Sequence, residues 1–191
     1  MNKIKSVAVY LGSRPGNEPK FVQNACRLGR LLAESHIDIV YGGASVGTMK
    51  ALAEGALAAG GKVTGVFPTG FKGKRDNAAA GIEVGPEGLA LSQLITVRDL
   101  PERIATMERL SQAMIFLPGS FGTMVEAFTW MEKWQLGWAN KPAFILNTDG
   151  YYDGLLAQFK AMIAAGFMDG DDMQFLTVCP TPEAIVDSIL S

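Results

Sequence analysis

The sequence predicts a doubly wound α/β fold, a parallel sheet with helices on both faces, in a single domain spanning residues 1–191, and three observations carry that prediction. Short apolar runs of strand length alternate with longer segments of helical spacing. Glycine-bearing turns follow several of the strand-like runs, at Gly12, at Gly42-Gly43 and at Pro118-Gly119. No linker, repeat or low-complexity segment interrupts the alternation.

In chain order, residues 6–11 read as a buried strand, and residues 18–34 have helical spacing through Phe21, Ala25, Leu28, Leu31 and Leu32. Residues 37–41 form the second strand. Residues 49–59 are an alanine-rich helix ended by Gly60-Gly61, and residues 62–67 a third strand stopped by Pro68. The order is then βαβαβ. Right-handed crossovers place ligands beyond the strand carboxyl ends, where Gly12, Gly42-Gly43 and the Pro118 loop would gather. Residues 71–91 show no sustained period and read as a mobile loop with a short helix at most; its Lys72, Lys74 and Arg75 could face a phosphorylated ligand or simply solvent. Strands follow at 94–97, 113–117, 142–146 and 175–178. Helices follow at 100–112, from the Pro118 loop to about Leu136, at 152–165, and from about Pro182. The last helix reads as packing, with no chemistry.

Composition narrows the function classes. A hydrophobic content of 48% supports a proper core, and a net charge of −2 gives no electrostatic footprint for nucleic acid or an anionic membrane. Cys26 and Cys179 are too few for a disulfide framework and have no metal-ligand spacing, so a reducing, cytoplasmic setting is expected. The apolar run after Lys5 is too short for a signal peptide, and no stretch is long enough to span a bilayer.

The stretch from Leu117 to Glu126 is the chemically suggestive one. An apolar run stops at Pro118, small residues follow, and a helical pattern opens. Unpartnered amides at such a helix start carry partial positive charge, so Gly119, Ser120, Phe121, Gly122 and Thr123 offer a seat for phosphate. The same residues admit another reading. Thr123-Met124-Val125-Glu126 fits a capping box, in which Glu126 would satisfy its own helix end. Local pattern leaves both open.

Pro118 to Glu126 resembles the Pro-Gly-Gly-x-Gly-Thr-x-x-Glu motif of the Lonely Guy family, cytokinin riboside 5′-monophosphate phosphoribohydrolases formerly labelled lysine decarboxylases. Tyr41-Gly42-Gly43-Ala44-Ser45-Val46-Gly47, Trp134-Gln135-Leu136-Gly137 and Asn147-Thr148-Asp149-Gly150-Tyr151-Tyr152-Asp153 resemble further segments of that family, in order along most of the chain. The resemblance implies a Rossmann-like nucleotide-binding domain and cleavage of the N-glycosidic bond of a purine nucleoside 5′-monophosphate, with adenine or a cytokinin-type base. It also implies a second catalytic residue. Asp99-Leu100-Pro101-Glu102-Arg103-Ile104 takes the place of the family's Met-His-x-Arg-Lys, and register puts the arginine on Arg103. The departures are Pro101 for histidine, Ile104 for lysine and Ser120 for glycine. Local pattern gives this segment a plainer role as well, with Asp99 and Glu102 as a capping pair.

In that chemistry C1′ takes on oxocarbenium-like charge as the base departs. Glu126 would stabilise it and orient the attacking water, and Arg103 would offset repulsion between carboxylate and phosphate. The amides of residues 119–123 and the Thr123 hydroxyl would hold the phosphate, with Gly12, Ser13, Gly42 and Gly43 as further substrate contacts. No metal or cofactor is required. Trp130, Trp134 and Trp138 recur every fourth residue as a helix face or subunit contact, and with the resemblance they suggest a homodimer. His36, the only histidine, suits a helix end or the surface. The turn after the first strand lacks the dinucleotide glycine pattern, and no lysine stands out as a pyridoxal ligand. A non-catalytic carrier of a nucleotide or phosphorylated cofactor is the alternative; only the hydrolase needs Glu126 and Arg103 together.

Overall fold

The computed structural model describes residues 3–69 and 88–191. The described strands form one seven-stranded, wholly parallel sheet in the order β4-β3-β2-β1-β5-β6-β7. Their bounds are β1 Ser6–Tyr10, β2 Asp38–Tyr41, β3 Val63–Pro68, β4 Gln93–Val97, β5 Ala113–Phe116, β6 Ala143–Leu146 and β7 Leu176–Cys179. The helices are α1 Pro19–Glu34, α2 Gly47–Ala58, α3 Leu100–Leu110, α4 Phe121–Gln135, α5 Asp153–Ala164 and α6 Pro182–Leu190.

The central place of β1 follows from its sequence. Val7, Val9 and Leu11 point into one core with α1, α2 and α6; Ala8 and Tyr10 point into the other with Met107 of α3 and Ala127 and Trp130 of α4. A strand apolar on both faces belongs in the middle of a sheet covered on both sides. There β1 pairs with β2 through Val7↔Ile39 and with β5 through Val7↔Ala113. The chain reverses its winding direction between β1 and β5, so their carboxyl ends flank the crevice where such sheets hold ligands. One hydrogen bond ties those ends together, from Gly12 N–H to the Pro118 carbonyl at 3.2 Å.

Several bounds shift from expectation. Helix α2 opens at Gly47, two residues early; Gly47 itself has φ +53° and lies against the backbone of Ser13 and Arg14, where no side chain would fit. Short 3₁₀ turns at Thr148–Gly150 and Gly170–Met173 have no apolar period to reveal them. The expected loop at 71–91, with Lys72, Lys74 and Arg75, falls almost wholly outside the described residues. Trp130 is buried, Trp134 lies tilted 4.9 Å from Phe175, and Trp138 is 76% exposed past the helix end, so the three do not form one face. His36 sits exposed at φ 58°, just beyond the end of α1, as expected of a helix-end residue.

Candidate active site

Helix α4 starts earlier than a Thr123 cap would require. Ser120 is its N-cap, its first bond runs from Met124 N–H to the Ser120 carbonyl at 3.0 Å, and Thr123 already lies inside the helix. The capping-box reading of Thr123 and Glu126 is therefore incorrect, and Glu126 stands in the second turn rather than the first. The early start has a chemical consequence. The amides of Phe121, Gly122 and Thr123 have no carbonyl one turn back within α4, and the Ser120 side chain makes no capping bond. Helix α2 opens nearby, behind Val46, also without a side-chain cap. Two positive helix ends thus border the crevice.

The loop that delivers α4 is tightly held. A Cβ on Gly119 would come within 2.1 Å of the Thr123 hydroxyl and 3.0 Å of Gly12 N, so only glycine lets these two loops touch. Ser120, Phe121 and Gly122 are exposed and Thr123 is buried beneath Gly119. On the facing loop Ser13 is exposed, and the Gly12 carbonyl accepts from the Thr48 hydroxyl at 2.6 Å.

Glu126 points from the second turn of α4 toward α3. Its carboxylate is 5% exposed and accepts from Arg103 Nη1 at 3.0 Å; the Arg103 side chain is 12% exposed. Arg103 is fixed a second time, donating through Nε to the Val66 carbonyl near the end of β3 at 3.1 Å. Helix α3 is aimed by its own cap, Asp99 accepting from Glu102 N–H at 2.9 Å, while the Glu102 carboxylate turns to Arg98. Gly42 makes room for the pair. A Cβ there would sit 1.7 Å from Arg103 Nη2. Gly43, at φ +78°, carries the chain past Phe67 and Val66. Both glycines are buried, so Gly42 touches the arginine from behind.

Burial pushes the Glu126 carboxyl up to about 7, with Arg103 holding it down in part. A carboxyl poised there can exchange a proton near neutral pH while an arginine steadies its anion. Tyr10, which the sequence did not single out, closes the wall behind it. Its ring stacks on Phe116 at 5.3 Å and 16°, and burial together with the Glu126 charge holds its hydroxyl protonated. Its only trace in the sequence is a polar-tipped residue ending an otherwise aliphatic strand. Among the described residues no group of three or more His, Cys, Asp or Glu gathers as metal ligands would.

Also unassigned from sequence are the hydroxyls that hold the loop. Tyr152 donates to the Leu117 carbonyl at 2.6 Å and Tyr151 to the Gly119 carbonyl at 2.5 Å. The signal was an aromatic pair directly after an Asn-Thr-Asp-Gly turn.

Residues 49–189 match the family model described as "Possible lysine decarboxylase". The chain is 37% identical over 187 residues to a cytokinin riboside 5′-monophosphate phosphoribohydrolase of Rhodococcoides fascians, covering 98% of this chain and 90% of that protein. It is 39% identical over 180 residues to the probable cytokinin riboside 5′-monophosphate phosphoribohydrolase LOGL1 of Oryza sativa subsp. japonica, covering 94% of this chain and 76% of the relative. Among solved structures, the molybdenum cofactor binding protein of Rippkaea orientalis superposes with a TM-score of 0.68 at 23% identity, over 99% of this chain and 96% of that one. At that identity the likeness is one of fold.

Proposed function

This chain belongs to the Lonely Guy family, whose model is described as possible lysine decarboxylase, and on that premise we propose that it hydrolyses the N-glycosidic bond of a purine nucleoside 5′-monophosphate to free base and ribose 5-phosphate. The observation that carries the reading is the buried pair of Glu126 and Arg103, at 3.0 Å, beside the unpartnered amides that open α4.

Water attacks C1′ as the C1′–N bond breaks. The electron pair leaves with the base, which takes up a proton from solvent, and C1′ passes through an oxocarbenium-like state. Glu126 faces that charge, which is greater in the transition state than in the substrate, so its stabilisation is differential. It also takes the proton of the attacking water, a role its raised pKa suits. Arg103 keeps the carboxylate oriented and lessens its repulsion with the 5′-phosphate. The phosphate rests on the first-turn amides of α4, away from the reacting bond, so its binding energy positions C1′. Ser120 serves this purpose through its backbone, which any residue could supply. Gly12 and Ser13 line the facing loop, Gly42 acts through the space it leaves for Arg103, and Gly43 lets the chain pass close to Val66 and Phe67. The substrate is AMP or its prenylated counterpart, handled in the cytoplasm.

The working form is a homodimer. Phe121, Val125 and Phe128 project from one face of α4, and Phe121 is 90% exposed. With Phe159 and Met162 of α5 they line an apolar groove of about 610 Å³. Large apolar residues in a helical row beside such a groove suit a second copy of the chain.

The deciding experiment is incubation of the pure protein with AMP and other nucleoside monophosphates. Free adenine and ribose 5-phosphate in equal amounts are expected. Binding of AMP without release of base would favour the carrier instead.

A further inference from the structure

The carbonyls of Leu117, Pro118 and Gly119 are all taken, by the Tyr152 hydroxyl, the Gly12 amide and the Tyr151 hydroxyl respectively. A trans peptide points its N–H opposite its C=O. With the Pro118 carbonyl turned to the Gly12 amide and the Gly119 carbonyl to the Tyr151 hydroxyl, the amides of Gly119 and Ser120 face away from those partners, and neither carbonyl oxygen is left bare to repel an anion. The two tyrosines are brought there by an unusual stretch of backbone. Asp149 (φ 48°) and Gly150 (φ 73°) are both left-handed, and Asn147 braces the entry to α5, accepting from Tyr152 N–H and donating to Asp153, each at 2.7 Å. Helix α1 steadies the same turn, through Asn24 to the Thr148 hydroxyl at 3.0 Å and through the Lys20–Asp149 ion pair.

Tyr151 is the informative member. Tyr151 is 46% exposed, so little core packing depends on it, and its ring meets Phe21 and Tyr152 edge-on. We propose that Tyr151, with Tyr152 beneath it, is a positioning residue that sets the amides of Gly119 and Ser120 for the 5′-phosphate and so favours phosphorylated over unphosphorylated nucleosides. This rests on the phosphoribohydrolase reading, with the phosphate at the opening of α4.

The test compares wild type, Tyr151→Phe and Tyr152→Phe for ribose 5-phosphate binding by calorimetry, for KM and kcat with AMP, and for thermal midpoint. Losing one hydroxyl–carbonyl bond should weaken ribose 5-phosphate about three- to tenfold in Tyr151→Phe and raise KM for AMP by a similar factor. The turnover number should fall less than the KM rises, since the phosphate is remote from C1′, and Tyr152→Phe should shift affinity in the same direction. A lower thermal midpoint with unchanged ribose 5-phosphate affinity would make the tyrosines a mere staple and overturn the proposal. Wild-type protein that fails to bind ribose 5-phosphate would overturn the phosphoribohydrolase reading and this proposal together; binding by wild type matched by Tyr151→Phe would overturn this proposal alone.

Discussion

Glu126 combines two properties that a surface capping residue would not have: near-complete burial and a guanidinium at hydrogen-bond distance. Replacement by glutamine keeps the shape and an oxygen for Arg103 but removes the charge. If the carboxylate faces the oxocarbenium-like state, Glu126→Gln should lower turnover by roughly 100-fold or more while AMP binding survives, which single-turnover and binding measurements separate. Arg103→Ala should weaken both, and it leaves the carboxyl without a counter-charge, pushing its pKa higher still. The same residue predicts two pH effects. Turnover should climb with pH and level off above about 7, as Glu126 loses its proton. Stability should run the opposite way: the native carboxyl keeps its proton where an ordinary glutamate, near 4.5, has lost it, so stability falls from about 4.5 to about 7 and then flattens. Denaturant titrations across that window should show the slope in wild type and its loss in Glu126→Gln.

At the scale of elements, the pair exists because the openings of α3 and α4 and the carboxyl ends of β2 and β3 converge. Gly42, directly after β2, shows how narrow the tolerance is. Its missing side chain is the space the Arg103 guanidinium occupies. Gly42→Ala should fold, because the clashing atoms are the far end of a flexible side chain, but Arg103 must swing away from Glu126 and Val66. A displacement of about 1 Å can cost on the order of 100-fold, so turnover should collapse although neither catalytic candidate is altered. A crystal structure of the variant with Arg103 unmoved, or an assay with unchanged turnover, would contradict this account of the glycine.

For the whole molecule, the exposed row on α4 should place two chains face to face. Light scattering at micromolar concentration should give twice the 20.4 kDa chain mass. Val125→Glu, a charge set into the middle of the row, should return the mass of one chain while circular dichroism stays native. Monomeric wild-type protein would contradict the dimer. Among the described residues no helix is long and apolar enough to cross a bilayer.

What the sequence determined by itself is what local chemistry encodes. Strand and helix periods differ, so the alternation, the parallel sheet and its two buried faces were legible in runs such as Val7 to Leu11 and Ala113 to Leu117. So was the glycine loop after β5, because a chain that must turn tightly against another backbone has few residues to choose from. Family likeness then singled out Arg103 and Glu126 without any geometry. Tertiary structure alone decided that those two, 23 residues apart, meet at 3.0 Å, since the meeting depends on two helices lying on the same face of the sheet. It also decided that Glu126 is buried in a second helical turn and not a cap, because α4 begins where the loop carbonyls are tied down. No periodicity reports that Tyr151 and Tyr152 supply those ties. Their bonds to Gly119 and Leu117 span 32 and 35 residues, and they form only once the turn after β6 folds back over the loop after β5.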